Sequence, residues 1–216
     1  MKQKLLAECF GTALLLMIVT GSGISGERLA MGNTAVALLA NSIATGAGLY
    51  VLITVLSPIS GAHFNPVVTL FCHARKALTW HEAGAYIVAQ TSGAVIGVWL
   101  THMIYALPLL QISQKPRSGI AQWASEFIAT LLLVGTIHLA QKHAREKTPL
   151  VVALLVTAGY WFTSSTFFAN PAVSIARMLT DTFVGIRPAD VPGFICAQFA
   201  ALTLLLAVVR RHSQQP

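Results

Sequence analysis

Ser60–Lys76 reads SGAHFNPVVTLFCHARK, and Phe168–Phe183 reads FANPAVSIARMLTDTF. Each stretch sets an Asn-Pro pair, Asn65-Pro66 and Asn170-Pro171, at the head of a short apolar run. Asn is a favoured N-cap because its side-chain oxygen accepts an N–H of the first helical turn. Pro suits the first helical position, where its missing N–H leaves nothing unpaired. Both stretches are therefore predicted to be helices that begin at Asn and are too short to cross a bilayer. One Asn-Pro pair is usually an ordinary turn. Two copies, each flanked by long apolar segments, reverse that reading.

Outward from these two pieces the chain is apolar. Of 216 residues, 55% are hydrophobic and 10% charged, where a soluble domain carries about 25% charged. The mean hydropathy is +0.69. A bilayer core is spanned by about 20 apolar residues. Six such segments are predicted, at about Leu5–Gly23, Asn33–Ser57, Trp80–Tyr105, Gly119–Ala140, Pro149–Ser165 and Val191–Val209. The N-terminal apolar run is interrupted by Glu8 and lacks a small-residue cleavage site, so it counts as the first span. Cys9, Cys72 and Cys196 are an odd, scattered set with no CxxC, so no disulfide framework is expected.

The net charge of +7 does not point to nucleic acid, because no basic stripe is interleaved with aromatics. The basic residues sit at segment ends. With the N-terminus inside, Lys2, Lys4, Arg75, Lys76, Lys142, Arg145, Lys147, Arg210 and Arg211 fall on the cytoplasmic side. Arg28, Lys115, Arg117, Arg177 and Arg187 fall outside. That split of nine to five favours both termini inside, as six spans require.

The chain also repeats itself. AECFGTALLL (Ala7–Leu16) resembles SEFIATLLLV (Ser125–Val134), HFNPVVTL resembles FANPAVSI, and YIVAQ (Tyr86–Gln90) resembles FICAQ (Phe194–Gln198). Three spans per half make the second half enter from the opposite face, an inverted repeat. The expected fold is an all-α membrane protein of six transmembrane helices plus two re-entrant half-helices. It forms a single domain over 1–216, with repeat one at about 1–106 and repeat two at about 119–211.

The two Asn-Pro pieces are the expected site. Capping uses the amide oxygen and leaves the NH₂ group as a donor. If both half-helices end at mid-membrane, two donors and two positive dipole ends face one passage. Such a site repels cations and turns a passing water or hydroxyl outward in both directions, which interrupts a proton wire. Glu8 and Glu126 are intramembrane carboxylates at matching repeat positions. They read either as proton-coupling groups or as acceptors for the amides of the re-entrant loops, and the second is favoured because no basic partner lies within the spans. Gln90 and Gln198 recur by symmetry and are expected to bond loop backbone. His63, before the first Asn-Pro, is a structural hydrogen bonder or a pH sensor. Gly93 and Gly97 form a GxxxG that permits close helix packing. No HExxH, P-loop or dinucleotide loop is present, so no enzyme activity, cofactor or metal is expected.

SGAHFNPVVTL and FANPAVSIAR resemble the paired Asn-Pro-Ala signatures of aquaporins and glycerol facilitators, and AECFGT, YIVAQTSGA and the six-span layout are similar to that family too. The resemblance covers nearly the whole chain. It implies a homotetramer in membrane lipid, with one pore per subunit for small neutral solutes and a pore centre at Asn65, Pro66, Val67, Asn170, Pro171 and Ala172. Val67 replaces the family's usual Ala. Val173 stands where the family usually has a filter Arg, and Ser174 where glycerol facilitators usually have Asp. The other filter positions carry over by spacing to Thr45, Ala158 (Gly159 if shifted by one) and Phe167. Arg177 lies one turn beyond Val173 and is not expected at the same spot. Losing the guanidinium removes a steric plug and a fixed charge. The implied filter is wide and mostly apolar. The Val-for-Arg pattern resembles aquaglyceroporin-like channels linked to bacterial arsenic resistance, whose solute is neutral arsenous acid. A bacterial inner membrane suits the short termini. The competing reading is an inverted-repeat secondary transporter coupled through Glu8 and Glu126.

Overall fold

A computed structural model describes residues 1–212. The described residues form eight α-helices in chain order: α1 Lys2–Leu29, α2 Thr34–Ser60, α3 Pro66–Ala74, α4 Trp80–Ile104, α5 Ile120–His143, α6 Thr148–Phe162, α7 Pro171–Arg177 and α8 Val191–His212. The order of long, long, short and long elements occurs twice, and no strand is present among the described residues. Asn33 caps α2 through Ala35 and Val36, and Thr79 with Glu82 closes a capping box on α4. A polar group spent on a helix end stabilises it by about 1 kcal/mol.

Five helices, α1, α2, α4, α5 and α8, are long and apolar enough to cross a membrane. The fifth predicted segment is the short one: α6 has 15 residues. At 1.5 Å per residue it extends about 22 Å, against a hydrocarbon core of about 30 Å. A 3-10 turn, Arg145–Lys147, lengthens it at its start. It ends at Phe162 because Thr163 turns to extended backbone, beginning the loop that leads to α7. Thr166, Phe167 and Ala169 in that loop have positive φ. Non-glycine residues held there cost free energy and mark a constrained segment.

Packing follows the glycines. A Cβ on Gly93 would lie 2.2 Å from the Cys9 carbonyl oxygen, and one on Gly97 would lie 2.2 Å from that of Ala13. The GxxxG of α4 is therefore pressed onto the α1 backbone. Gly46 brings α2 against Thr157 and Ala153 of α6 in the same way. Each half-helix is wedged between the last long helices of both halves: α3 touches α4 and α8, and α7 touches α8 and α4. The two short helices are thereby held in the interior, their N-termini close enough to exchange hydrogen bonds.

Candidate functional site

The centre is built from the two Asn caps. Asn65 Oδ1 accepts from Val67 N at 2.9 Å, and Asn170 Oδ1 accepts from Ala172 N at 3.0 Å and Val173 N at 3.4 Å. Neither amide nitrogen stays wholly free. Asn65 Nδ2 donates to the Ala169 carbonyl at 2.7 Å, and Asn170 Nδ2 donates to the Phe64 carbonyl at 2.8 Å. Each NH₂ has two protons, so each Asn ties the opposite loop with one and keeps one for the passage. Phe64 and Ala169, whose carbonyls accept, both have positive φ.

Two buried carboxylates support these loops. Glu8 Oε1 accepts from Ser60 Oγ at 2.6 Å and His63 N at 3.0 Å, while Oε2 accepts from Phe64 N and Gln90 Nε2, each at 2.8 Å. Glu126 Oε1 accepts from Phe168 N at 2.9 Å, and Oε2 accepts from Ala169 N at 2.9 Å and Gln198 Nε2 at 2.6 Å. Gln90 also donates to Thr69 Oγ1 and Gln198 to Ser174 Oγ, so the arrangement is the same in both halves. His63 Nδ1 is bonded with Thr69 Oγ1 at 3.1 Å. Glu8 and Glu126 are fully buried, and neither lines the central cavity. Every carboxylate oxygen is occupied by donors of the protein itself.

A cavity of about 100 Å³ runs past the Asn pair. Water's share of liquid volume is about 30 Å³, so only a few waters fit at once. Its wall is made of rows spaced four residues apart, one helix face each: Leu15 and Val19; Thr45, Leu49 and Ile53; Leu133, Ile137 and Gln141; Thr148, Val152, Val156 and Tyr160; Val173 and Arg177. Asn65, Asn170, His63, Val68 and Phe167 line it as well, with the loop residues next to them. Among the described residues, no carboxylate lines it. Pro66, Val67, Pro171 and Ala172 are buried behind the two Asn residues.

Thr45, Phe167 and Val173 line the cavity, but Ala158 does not. It is exposed on the outer face of α6. The cavity row of α6 is Val152, Val156 and Tyr160, and a residue two positions away points about 200° around the helix. The alternative, Gly159, is buried against the Phe167 ring and makes room for it. Tyr160, which sequence spacing missed, brings its hydroxyl to 3.1 Å from Thr45 Oγ1. Arg177 was missed as well. One turn beyond Val173, it shares that residue's face and lines the same cavity while 2% exposed. The cavity wall is thus more polar than the sequence suggested, with a hydroxyl pair and one guanidinium beside the apolar rows.

Known proteins agree with this architecture. The Major intrinsic protein family model matches residues 1–181. The aquaglyceroporin AqpS of Rhizobium meliloti (strain 1021) is 49% identical over 208 residues, covering 96% of this chain and 89% of that protein. A probable glycerol uptake facilitator protein of Thermotoga maritima is 31% identical over 203 residues, 84% of each. The X-ray structure of the aquaglyceroporin from Plasmodium falciparum superimposes with a TM-score of 0.75 at 18% identity, covering 95% of this chain and 94% of that one. With two Asn-capped half-helices meeting at the centre of an all-helical membrane fold, this chain belongs to the major intrinsic protein family of passive membrane channels, which are not enzymes.

Proposed function

We propose that this chain passes water and small uncharged solutes, including glycerol-sized polyols and metalloid hydroxides such as arsenous acid. The observation that carries this reading is Val173. Its short apolar side chain, directly after the second Asn-Pro-Ala, lines the cavity that Thr45, Tyr160 and Phe167 also line. A polyol needs an apolar wall for its carbon edge and a few polar partners for its hydroxyls. The rows of Val, Leu and Ile supply the wall, and Thr45, Tyr160 and the two Asn residues supply the partners. The similarity to the aquaglyceroporin AqpS and to a probable glycerol uptake facilitator supports the same solute class. Neutral metalloid hydroxides offer similar hydroxyl donors at similar size.

The channel is passive. Glu8 and Glu126, the candidate coupling groups of a transporter, lie outside the cavity with all their oxygens engaged. The unit is a homotetramer in a bacterial inner membrane with both termini inside. Of the residues expected outside, Lys115, Arg117 and Arg177 line one vestibule and Arg187 N donates to the Lys115 carbonyl, which supports a common side for these four.

Stopped-flow measurements on proteoliposomes test the filter, using water, glycerol, urea and arsenous acid against the native chain and Val173→Arg. The native chain is expected to pass all four. The variant places a second guanidinium one turn from Arg177 and is expected to lose glycerol and arsenous acid flux by about tenfold or more while keeping part of the water flux. A native chain that passes water alone, or a variant with unchanged solute flux, overturns the assignment.

A further inference from the structure

Three cations converge where the central cavity opens at one end. Arg177 lines both the central cavity and a wider vestibule of about 450 Å³, and Lys115 and Arg117 line that vestibule with it. The Arg177 guanidinium stacks 3.5 Å over the Phe168 ring, and that of Arg117 lies 5.1 Å from the centre of the same ring. Each is anchored to neutral main-chain oxygens. Arg177 Nε donates to the Val184 carbonyl, Arg117 Nε to the Gly185 carbonyl at 2.9 Å, and Lys115 Nζ to the Phe183 carbonyl at 2.7 Å. The two terminal nitrogens of Arg177 make no hydrogen bond among the described residues, although the side chain is 2% exposed.

Among the described residues, no carboxylate forms an ion pair with any of these three side chains. Among the described residues, the single ion pair is Arg187–Asp190. Asp190 additionally accepts the Arg117 main-chain N–H, Asp181 accepts from Gln114 N, and Glu126 is committed to its own loop. Burying charge without a counter-charge is costly, and guanidinium forks match planar or tetrahedral oxyanions. We propose that this vestibule is a binding site for one small oxyanion, held by Arg177, Arg117 and Lys115, and that its occupancy obstructs the solute pathway. The charged donors bind the anion, and the narrow apolar cavity beyond Arg177 denies it passage, because entry would strip its hydration. The obstruction rests on the channel reading above, whereas the binding site stands on the cation cluster alone.

The test uses sulfate as the probe, with chloride at matched ionic strength as the control. Glycerol flux is measured in neutral phosphatidylcholine proteoliposomes, so no anionic headgroup supplies the charge. Thermal unfolding of the detergent-purified chain reads binding separately. Sulfate at about ten times its Kd is expected to slow glycerol flux about tenfold and to raise Tm relative to chloride. Lys115→Gln is expected to weaken both effects at least about fivefold in sulfate concentration, and Lys115→Arg to restore them. Should Lys115→Gln fail to fold, Arg117→Lys, which keeps the charge and loses the fork, takes its place. No rise in Tm beyond chloride, or an equal rise in Lys115→Gln, overturns the site. A rise in Tm with unslowed flux overturns the obstruction. Absent glycerol flux in every condition overturns the channel reading, and the Tm comparison still decides the anion site.

Discussion

At the scale of single residues, the site is governed by where buried polar atoms find partners. Glu126 accepts three hydrogen bonds while fully buried, two of them from the main chain of Phe168 and Ala169. Replacing one carboxylate oxygen with an NH₂ group sets donor against donor, whichever way the amide turns. Each buried N–H left unpaired costs about 1–3 kcal/mol. Glu126→Gln is therefore expected to lower Tm in detergent and to reduce solute flux, because Ala169, whose carbonyl holds Asn65, loses its anchor. Glu146→Gln, on an exposed 3-10 turn, is the control and is expected to change stability by less than about 0.5 kcal/mol. An Glu126→Gln protein as stable as that control would mean that the loop does not depend on the carboxylate.

At the scale of elements, close approach is set by missing side chains. Gly93 of α4 sits where a Cβ would be 2.2 Å from the Cys9 carbonyl oxygen, an atom of backbone that does not swing aside. Gly84, on the same helix, has open space around its Cβ position. Ala is favoured over Gly in a helix interior by about 1 kcal/mol, so propensity alone would stabilise both substitutions. Gly84→Ala is expected to hold or raise Tm. Gly93→Ala is expected to lower it by an amount typical of overpacking, about 1–3 kcal/mol. Equal behaviour of the two would remove the close α1–α4 contact from the account. The glycine spacing, the Asn caps and the paired Glu and Gln residues were legible in the sequence because each is a local pattern with one physical use. The face of α6 was not. That helix is apolar almost all round, so no polar stripe fixes its rotation, and counting back from Asn170 crosses an irregular loop with positive-φ residues. The row Thr148, Val152, Val156 and Tyr160 carried the signal, since Tyr160 alone brings a hydroxyl at that end. Arg177 was hidden for a related reason: the family pattern sets its Arg at position 173, while helical geometry gives position 177 the same face.

At the scale of the molecule, the two halves are joined at their centre by a reciprocal pair of bonds. Asn65 of one half donates to the Ala169 carbonyl of the other, and Asn170 donates to the Phe64 carbonyl. The same four residues meet at one point, so the two bonds hold one junction and are not independent. Ser is as good an N-cap as Asn but is too short to reach across to the opposite loop. Asn65→Ser and Asn170→Ser therefore remove the cross-links while keeping α3 and α7 capped. Each single variant is expected to lower Tm, and the double variant to lower it by less than the two losses combined, because breaking either bond already loosens the junction that the other needs. Residues sharing one network couple by about 0.5–3 kcal/mol, whereas separate sites add within about 0.5 kcal/mol. Glycerol and water flux measured on the same proteins should fall in the same non-additive order. Strictly additive losses of stability would mean that the two loops are held by their own halves, through Glu8 and Glu126, and that the Asn pair serves the passing solute without fastening the repeats together.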